Sequence, residues 1–158
     1  MHLQTVFQLI VLLVIANGAP LLAGAFLGRR LACPLDGGLR LADGRSLLGP
    51  AKTVRGFLSS IFATALAAPL FGLTPVLGAG FGLLAMSGDL VSSFAKRRLG
   101  IESSRSAPLL DQLPETLLPL LVMQPVIGAS YSEILSAALV FGIIDLLYSW
   151  LRDKGDVV

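Results

Sequence analysis

Histidine and cysteine are nearly missing from this chain, which holds one of each, His2 and Cys33. A single cysteine excludes an internal disulfide and a cysteine-rich metal site. A single histidine at the N-terminus, where chains are commonly poorly tied down, leaves no histidine for catalysis elsewhere. Charge is scarce too. Only 14% of the 158 residues are charged and 54% are hydrophobic, against roughly a quarter charged in a soluble domain. Such a chain reads as one integral-membrane domain over residues 1–158, and the expected fold is an all-α, polytopic membrane helical bundle. In hydrocarbon the backbone must satisfy its own polar groups, and helices do so within one segment. Internal repeats and low-complexity segments are also absent.

Apolar runs are what the chain has in quantity. They place about five transmembrane helices at 6–27, 57–73, 75–94, 113–128 and 134–151. The first is uncharged and about 33 Å long at about 1.5 Å per residue, enough for a bilayer core of about 30 Å. No Lys or Arg precedes it and Arg29 and Arg30 follow it, the reverse of a secretory signal. Asn17, Gly18 and Pro20 interrupt it, and the Asn17 amide at that depth needs a partner from the bundle or from a ligand. Pro69 breaks the second run, and Pro119 and Pro125 interrupt the fourth. Gly78 and Gly82 give the third the small-xxx-small spacing that lets helices approach closely. In the fifth, Ala138, Gly142, Asp145 and Ser149 form a stripe of small and polar residues, which turns the intramembrane acid Asp145 toward the bundle.

The basic residues fall on one side of this layout. All twelve follow the first, third or fifth span: Arg29, Arg30, Arg40, Arg45, Lys52 and Arg55; then Lys96, Arg97, Arg98 and Arg105; then Arg152 and Lys154. The positive-inside rule then puts the N-terminus outside, the C-terminus in the cytoplasm, and both polar loops, 28–56 and 95–112, on the cytoplasmic side.

The first of these loops mixes glycine with basic residues and is far longer than a bundle turn needs. That composition suits contact with phosphate and equally with anionic lipid headgroups. It is not a Walker A loop, since the leading glycine and four-residue spacer are missing before Lys52-Thr53 and no strand precedes it. Lys52 and Arg55, three apart, are expected on one side of a helix entering the second span. The other stretch runs from Ser87 to Gln112. At about 100° per residue, Asp89, Ser92, Ser93 and Lys96 share one helix face about 100° wide, and Lys96, Arg97 and Arg98 follow on. An acid in an apolar helix that ends in basic residues offers a cation ligand beside phosphate-pairing groups. It also suits a plain ion pair beneath basic side chains that snorkel to the membrane surface.

Several pieces then combine in order: Asn17 and Pro20 in the first span, Gly49-Pro50-Ala51-Lys52-Thr53-Val54-Arg55-Gly56 in the loop, Gly88-Asp89, Ser93-Phe94-Ala95-Lys96-Arg97, and Asp111-Gln112. Together with the span layout, this resembles the CDP-archaeol synthase family. These are small polytopic cytidylyltransferases, similar in their catalytic half to the larger phosphatidate cytidylyltransferases. The chain departs from the larger enzymes in three places. Glu102-Ser103 stands for a Lys-Asp pair, no histidine-glycine-glycine segment precedes Asp111, and Asp111-Gln112-Leu113-Pro114, followed by Glu115, stands for Asp-Arg-x-Asp.

The resemblance implies transfer of a cytidylyl group from CTP to a lipid phosphate monoester, either an archaeal-type ether lipid phosphate or phosphatidate, with release of pyrophosphate. It implies Mg²⁺ held by Asp89 and Asp111. Those two acids with Lys52 and Lys96 would be the catalytic set, Arg55 and Arg97 would pair with phosphates, Thr53 and Ser93 would add hydrogen bonds, and Gln112 and Asn17 would lie at the substrate. The implied partners are CTP, a membrane lipid phosphate and the bilayer, with no nucleic acid, and a homodimer is compatible with the pattern. The implied location is the cell membrane, multi-pass, with the active site on the cytoplasmic side. The alternative reading of the same inward acids and basic loops is a non-catalytic membrane protein, such as an organic-anion carrier or an assembly subunit.

Overall fold

Apolar periodicity and a few capping residues suffice to lay down the helices. The computed structural model describes residues 2–28, 30–101 and 107–155. Arg29, Glu102, Ser103 and Arg105 lie outside the described residues, as do the side chains of Arg152 and Lys154. The described chain forms α1 (Leu3–Leu27), α2 (Val54–Ala67, running into a 3₁₀ turn at Ala68–Phe71), α3 (Pro75–Arg98), α4 (Pro108–Ile127) and α5 (Tyr131–Gly155). Thr53 caps α2 by accepting the Gly56 N–H at 3.2 Å. Thr74 caps α3 by accepting the Leu77 N–H at 3.3 Å, with Pro75 opening the first turn. In each case a threonine oxygen satisfies an N–H that has no partner inside its helix.

Among the described residues, four segments are long and apolar enough to cross a membrane: Leu3–Leu27, Val54–Phe71, Pro75–Arg98 and Tyr131–Leu151. Large apolar side chains cover their outer faces, among them Phe26, Phe62, Leu70 and Val76, as lipid solvation requires. The protein is a polytopic helical membrane bundle. The fourth expected span differs from the rest. α4 has 20 residues, about 30 Å at about 1.5 Å each, but Asp111, Gln112 and Glu115 stand in its first half.

The loop expected over 95–112 is helical at both ends among the described residues. α3 continues through Lys96, Arg97 and Arg98, and α4 takes in Asp111 and Gln112 in its first two turns. The helix dipole favours cations at a C-terminus and an acid near an N-terminus, so these charges extend the helices. Asp111 also reaches back to accept the Ala107 N–H at 3.1 Å.

α3 is the central helix, packed against α4 and α2 and, less extensively, α1, while α5 closes the bundle against α1 and α4. Its glycines make those approaches close. A Cβ at Gly78 would run into the Thr64 carbonyl and Ala68 Cβ, and one at Gly82 into the Thr64 hydroxyl. The small-residue spacing therefore faces α2, as such spacing predicts. Gly88 does the same toward α4, where a Cβ would strike the Pro114 carbonyl and come within 2.7 Å of Glu115 Cα. Gly88→Ala should therefore push α3 from α4 and destabilise the protein by about 1–3 kcal/mol, the usual cost of overpacking. Thermal unfolding in detergent measures it, and an unchanged midpoint would contradict this packing.

The long loop is folded back on itself. Its ends are tied by Leu35 N–H to Lys52 O at 2.8 Å and Val54 N–H to Cys33 O at 3.0 Å. Asp36 pins its middle, accepting the N–H groups of Gly38 at 2.9 Å and Leu48 at 2.8 Å. Burial works against the Asp36 charge, but the backbone N–H groups of Leu48, Gly38 and Gly49 outweigh it and hold the carboxyl below its ordinary value.

Candidate active site

Two lysine–carboxylate pairs join the loop, α3 and α4 at one end of the bundle. Lys52, the residue before the Thr53 cap, extends to Asp89 on α3, Nζ to Oδ1 2.6 Å. Lys96, two turns further along α3, meets Asp111 on α4, Nζ to Oδ1 2.7 Å. Residues 89, 92, 93 and 96 share the inward face that helical spacing predicts. Ser92, Ser93 and Lys96 are buried and Asp89 is half-buried, while Val91 and Phe94 on the opposite side are exposed. Ser92 Oγ donates to the Asp89 carbonyl at 2.8 Å.

More acids complete the cluster. Glu115 lies one turn after Asp111 on α4, on the same face, and is buried. The charges of Asp89, Asp145 and Asp111 and the ammonium of Lys52 all act on it. Asp145 on α5 accepts the Gln112 amide at 3.0 Å, so the small-residue stripe of α5 does face inward. Two of these carboxyl groups, Asp89 and Asp111, therefore meet lysines, and Glu115 and Asp145 lie near them. Glu115 enters this cluster by the four-residue spacing from Asp111, a signal present in the sequence.

The loop folds over this end of the bundle. Arg45 Nη1 donates to the Arg98 carbonyl at 2.6 Å and the Arg97 carbonyl at 3.4 Å, satisfying the last turn of α3. Arg98 answers with an ion pair to Asp43 at 2.6 Å and a hydrogen bond to the Ser46 carbonyl at 2.7 Å. At the opposite end of α1, the His2 N–H donates to Glu133, whose carboxylate also accepts the Ser130 N–H at 2.8 Å.

One expectation changes. Lys52 and Arg55 do not share a helix side. Thr53 is extended, φ −112° and ψ 151°, so the helix starts after Lys52. Arg55 turns the other way and donates to the Gly28 carbonyl and, at 3.2 Å, to the Arg30 carbonyl. Asn17 finds its partner within its own helix, donating to the Leu13 carbonyl at 3.1 Å. Gly56 lets this segment lie on α1, since a Cβ there would sit 3.3 Å from Pro20 Cβ.

The comparisons with known proteins now bear on this geometry. The family described as CarS-like, CDP-archaeol synthase, matches residues 72–152, more than half of the chain. The chain belongs to the CDP-archaeol synthase family. It is 42% identical over 121 residues to the CDP-archaeol synthase of Aeropyrum pernix, covering 71% of this chain and 66% of that protein. It is 42% identical over 113 residues to that of Methanopyrus kandleri, covering 64% of this chain and 65% of that protein. The matched region thus spans just under two thirds of the length of both relatives. A solved structure described as an intramembrane enzyme for archaeal membrane lipids biosynthesis is similar over 90% of each chain, with a TM-score of 0.76 and 37% identity. Against the CDP-archaeol synthase family, the matched stretch carries Asp89, Ser93, Lys96, Arg97, Asp111 and Gln112, whereas Lys52, Thr53 and Arg55 precede it.

The donor set is carboxylate oxygen alone, the chemistry that a hard dication takes. Oδ1 of Asp111 is buried without a hydrogen bond. Lys96 Nζ, 2.7 Å away, meets it as an ion contact out of hydrogen-bond alignment. Among the described residues no three acids converge closely enough to enclose a metal by themselves. A site of this kind suits Mg²⁺, which is commonly bound by one or two carboxylates with substrate phosphates and water filling the remaining positions.

Proposed function

We propose that this protein is a CTP-dependent cytidylyltransferase that converts a lipid phosphate monoester, of the archaeal ether type, to a CDP-lipid. The observation that carries this reading is the pair of lysine–carboxylate contacts, Lys52–Asp89 and Lys96–Asp111, set under an arginine-bearing loop at one end of a membrane bundle. Family membership and the names of the relatives support it. An oxygen of the lipid phosphate attacks the α-phosphorus of CTP. The bond from that phosphorus to the oxygen bridging to the β-phosphate breaks, and pyrophosphate leaves.

The nucleophile is already anionic, so the obstacle is repulsion between two phosphates, and charge neutralisation is the task. Asp89 and Asp111, with Glu115 beside them, would hold Mg²⁺, which supplies stabilisation of charge on the phosphate oxygens. Lys52 and Lys96 hold those acids in this structure and lie within reach of phosphates at the same place. Thr53 fixes Lys52 by starting α2 after it, Ser93 lines the same face, and Gln112 orients Asp145. Purified protein with Mg²⁺ and CTP labelled at the α-phosphate, given an archaeal-type ether lipid phosphate or phosphatidic acid, should form labelled lipid, most from the ether lipid. No labelled lipid with either acceptor would overturn the reading.

The N-terminus lies outside and the site faces the cytoplasm. The described basic residues of both loops meet at one end of the bundle, while His2 and the α4–α5 turn meet at the other. A cysteine at exposed Ser130, placed in a chain without the exposed Cys33, should react with a membrane-impermeant maleimide on intact cells. Labelling only after permeabilisation would reverse this topology.

A further inference from the structure

Asp145 is an acid within the Tyr131–Leu151 span that the chemistry above leaves without a task. Its neighbours along α5, Ile143, Ile144, Leu146 and Leu147, are exposed, as lipid-facing side chains are, and a carboxylate at such a depth calls for a named partner. Among the described residues no lysine or arginine pairs with it. Its partner is the Gln112 amide, Nε2 to Oδ2 3.0 Å, and the same nitrogen reaches the Gly142 carbonyl at 3.4 Å. Gly142 leaves room for that amide to lie on α5, since a Cβ there would come within 3.4 Å of Gln112 Oε1. An ionised carboxylate only accepts, so it fixes which way round the amide stands, and its charge strengthens the bond. Among the described residues both hydrogen bonds of the Gln112 side chain therefore go to α5.

That tie acts on a part of α4 which the backbone holds less firmly. Pro114 lies inside the helix and has no N–H, so the Leu110 carbonyl, one turn earlier, loses its helical partner. The stretch ahead of Pro114 carries Asp111. At Pro114 and Glu115 α4 is fixed to α3 by the close approach of Gly88. Ahead of that point the ties are side chains: Lys96 of α3 holds Asp111 at 2.7 Å, and Asp145 of α5 holds Gln112, the next residue. Adjacent helical residues point about 100° apart, so these two ties pull from different sides and set the rotation of the stretch. That rotation sets the direction of the Asp111 carboxylate. The charge of Asp145 also acts on Glu115, which puts this part of α5 beside the same acids.

We propose that Asp145 is a positioning residue for the transfer: by holding Gln112 it sets the start of α4, and with it the Asp111 carboxylate that is to meet the metal. Gln112 is then the link from α5 to the site, and its amide serves the packing of two helices and not the substrate. The role rests on the cytidylyltransferase reading for the reaction and for Asp111 as a metal ligand, but not for the anchoring of α4 itself.

The test follows amide hydrogen exchange at residues 110–113 and labelled-lipid turnover across Mg²⁺ concentrations, on the full-length protein in detergent, for wild type, Asp145→Leu, Gln112→Met and Asp145→Asn. The first two variants break the same bond from opposite sides, so either answers the question if the other folds poorly. Each should speed exchange at 110–113 by about tenfold, because that stretch loses one of its ties. Each should lower turnover by about tenfold and raise the Mg²⁺ concentration for half-maximal turnover by about fivefold, as misplacement of a ligand does, with KM for the lipid within about twofold of wild type. Asp145→Asn keeps an acceptor for the amide and should stay within about threefold of wild type in every reading. A lower unfolding midpoint with wild-type exchange and an unchanged Mg²⁺ requirement overturns the proposal, since it leaves Asp145 a merely structural role. So does an Asp145→Asn as impaired as Asp145→Leu, which would put the effect in the charge and not in the hydrogen bond. A rise in KM for CTP or lipid confined to Gln112→Met also overturns it, making Gln112 a substrate contact. Faster exchange in both bond-breaking variants, in a protein whose wild type forms no CDP-lipid, would leave the anchor standing and overturn the transferase reading. An active wild type whose exchange and Mg²⁺ requirement ignore both substitutions would do the reverse.

Discussion

Asp89→Asn is expected to lower CTP-dependent CDP-lipid formation by more than a hundredfold while leaving the bundle folded. A factor of that size corresponds to about 2.7 kcal/mol of lost transition-state stabilisation. Asparagine keeps the shape of the side chain and removes the charge that a metal or a lysine needs. Its present partner, Lys52, has a quarter of its side chain exposed, so water can take over that ammonium. The stability cost should therefore stay near that of a surface pair, about 0–1 kcal/mol. Any Mg²⁺-induced rise in the unfolding temperature should disappear in the variant. Thermal unfolding with and without Mg²⁺, run beside the labelled-lipid assay, separates the two roles. A variant that unfolds readily but keeps its specific activity would mean that Asp89 serves only the ion pair.

Lys96→Met should be costly in both respects. The ammonium is buried at 10% side-chain exposure against Asp111 at 24%, and removing it leaves that carboxylate with the Ala107 N–H but no ion-pair partner among the described residues. Breaking a fully buried pair costs about 3–5 kcal/mol, and the partial exposure of Asp111 reduces this to about 1–3 kcal/mol. Activity should fall by more than tenfold, since a cation beside the phosphates is lost with it. The double variant Lys96→Met with Asp111→Asn removes both charges and should recover most of the stability while remaining inactive. Unfolding midpoints and turnover of the single and double variants form a cycle. Wild-type turnover in Lys96→Met would remove Lys96 from the catalytic set.

The sequence by itself determined the membrane class, the helical bundle and the inward face of α3. Each follows from a local rule: long apolar runs, periodicity near 3.6, and the scarcity of charge outside a few stretches. The approach of Gly78 and Gly82 to α2 was also legible, because small residues four apart make one smooth strip wherever the partner helix lies. Only the tertiary structure decided which charges meet. Asp89 could have paired with Lys96 on its own helix, yet it takes Lys52, 37 residues away, because Thr53 ends the loop in extended backbone and aims that lysine across the bundle. The same cap separates Lys52 from Arg55, which helical spacing would have joined. Gly88 facing α4, Asp145 facing Gln112, and the burial of Arg97 all depend on how α3, α4, α5 and the loop pack. Local spacing fixes which side chains share a face of one helix, whereas the contact between two faces is set by the burial and close packing of the whole bundle.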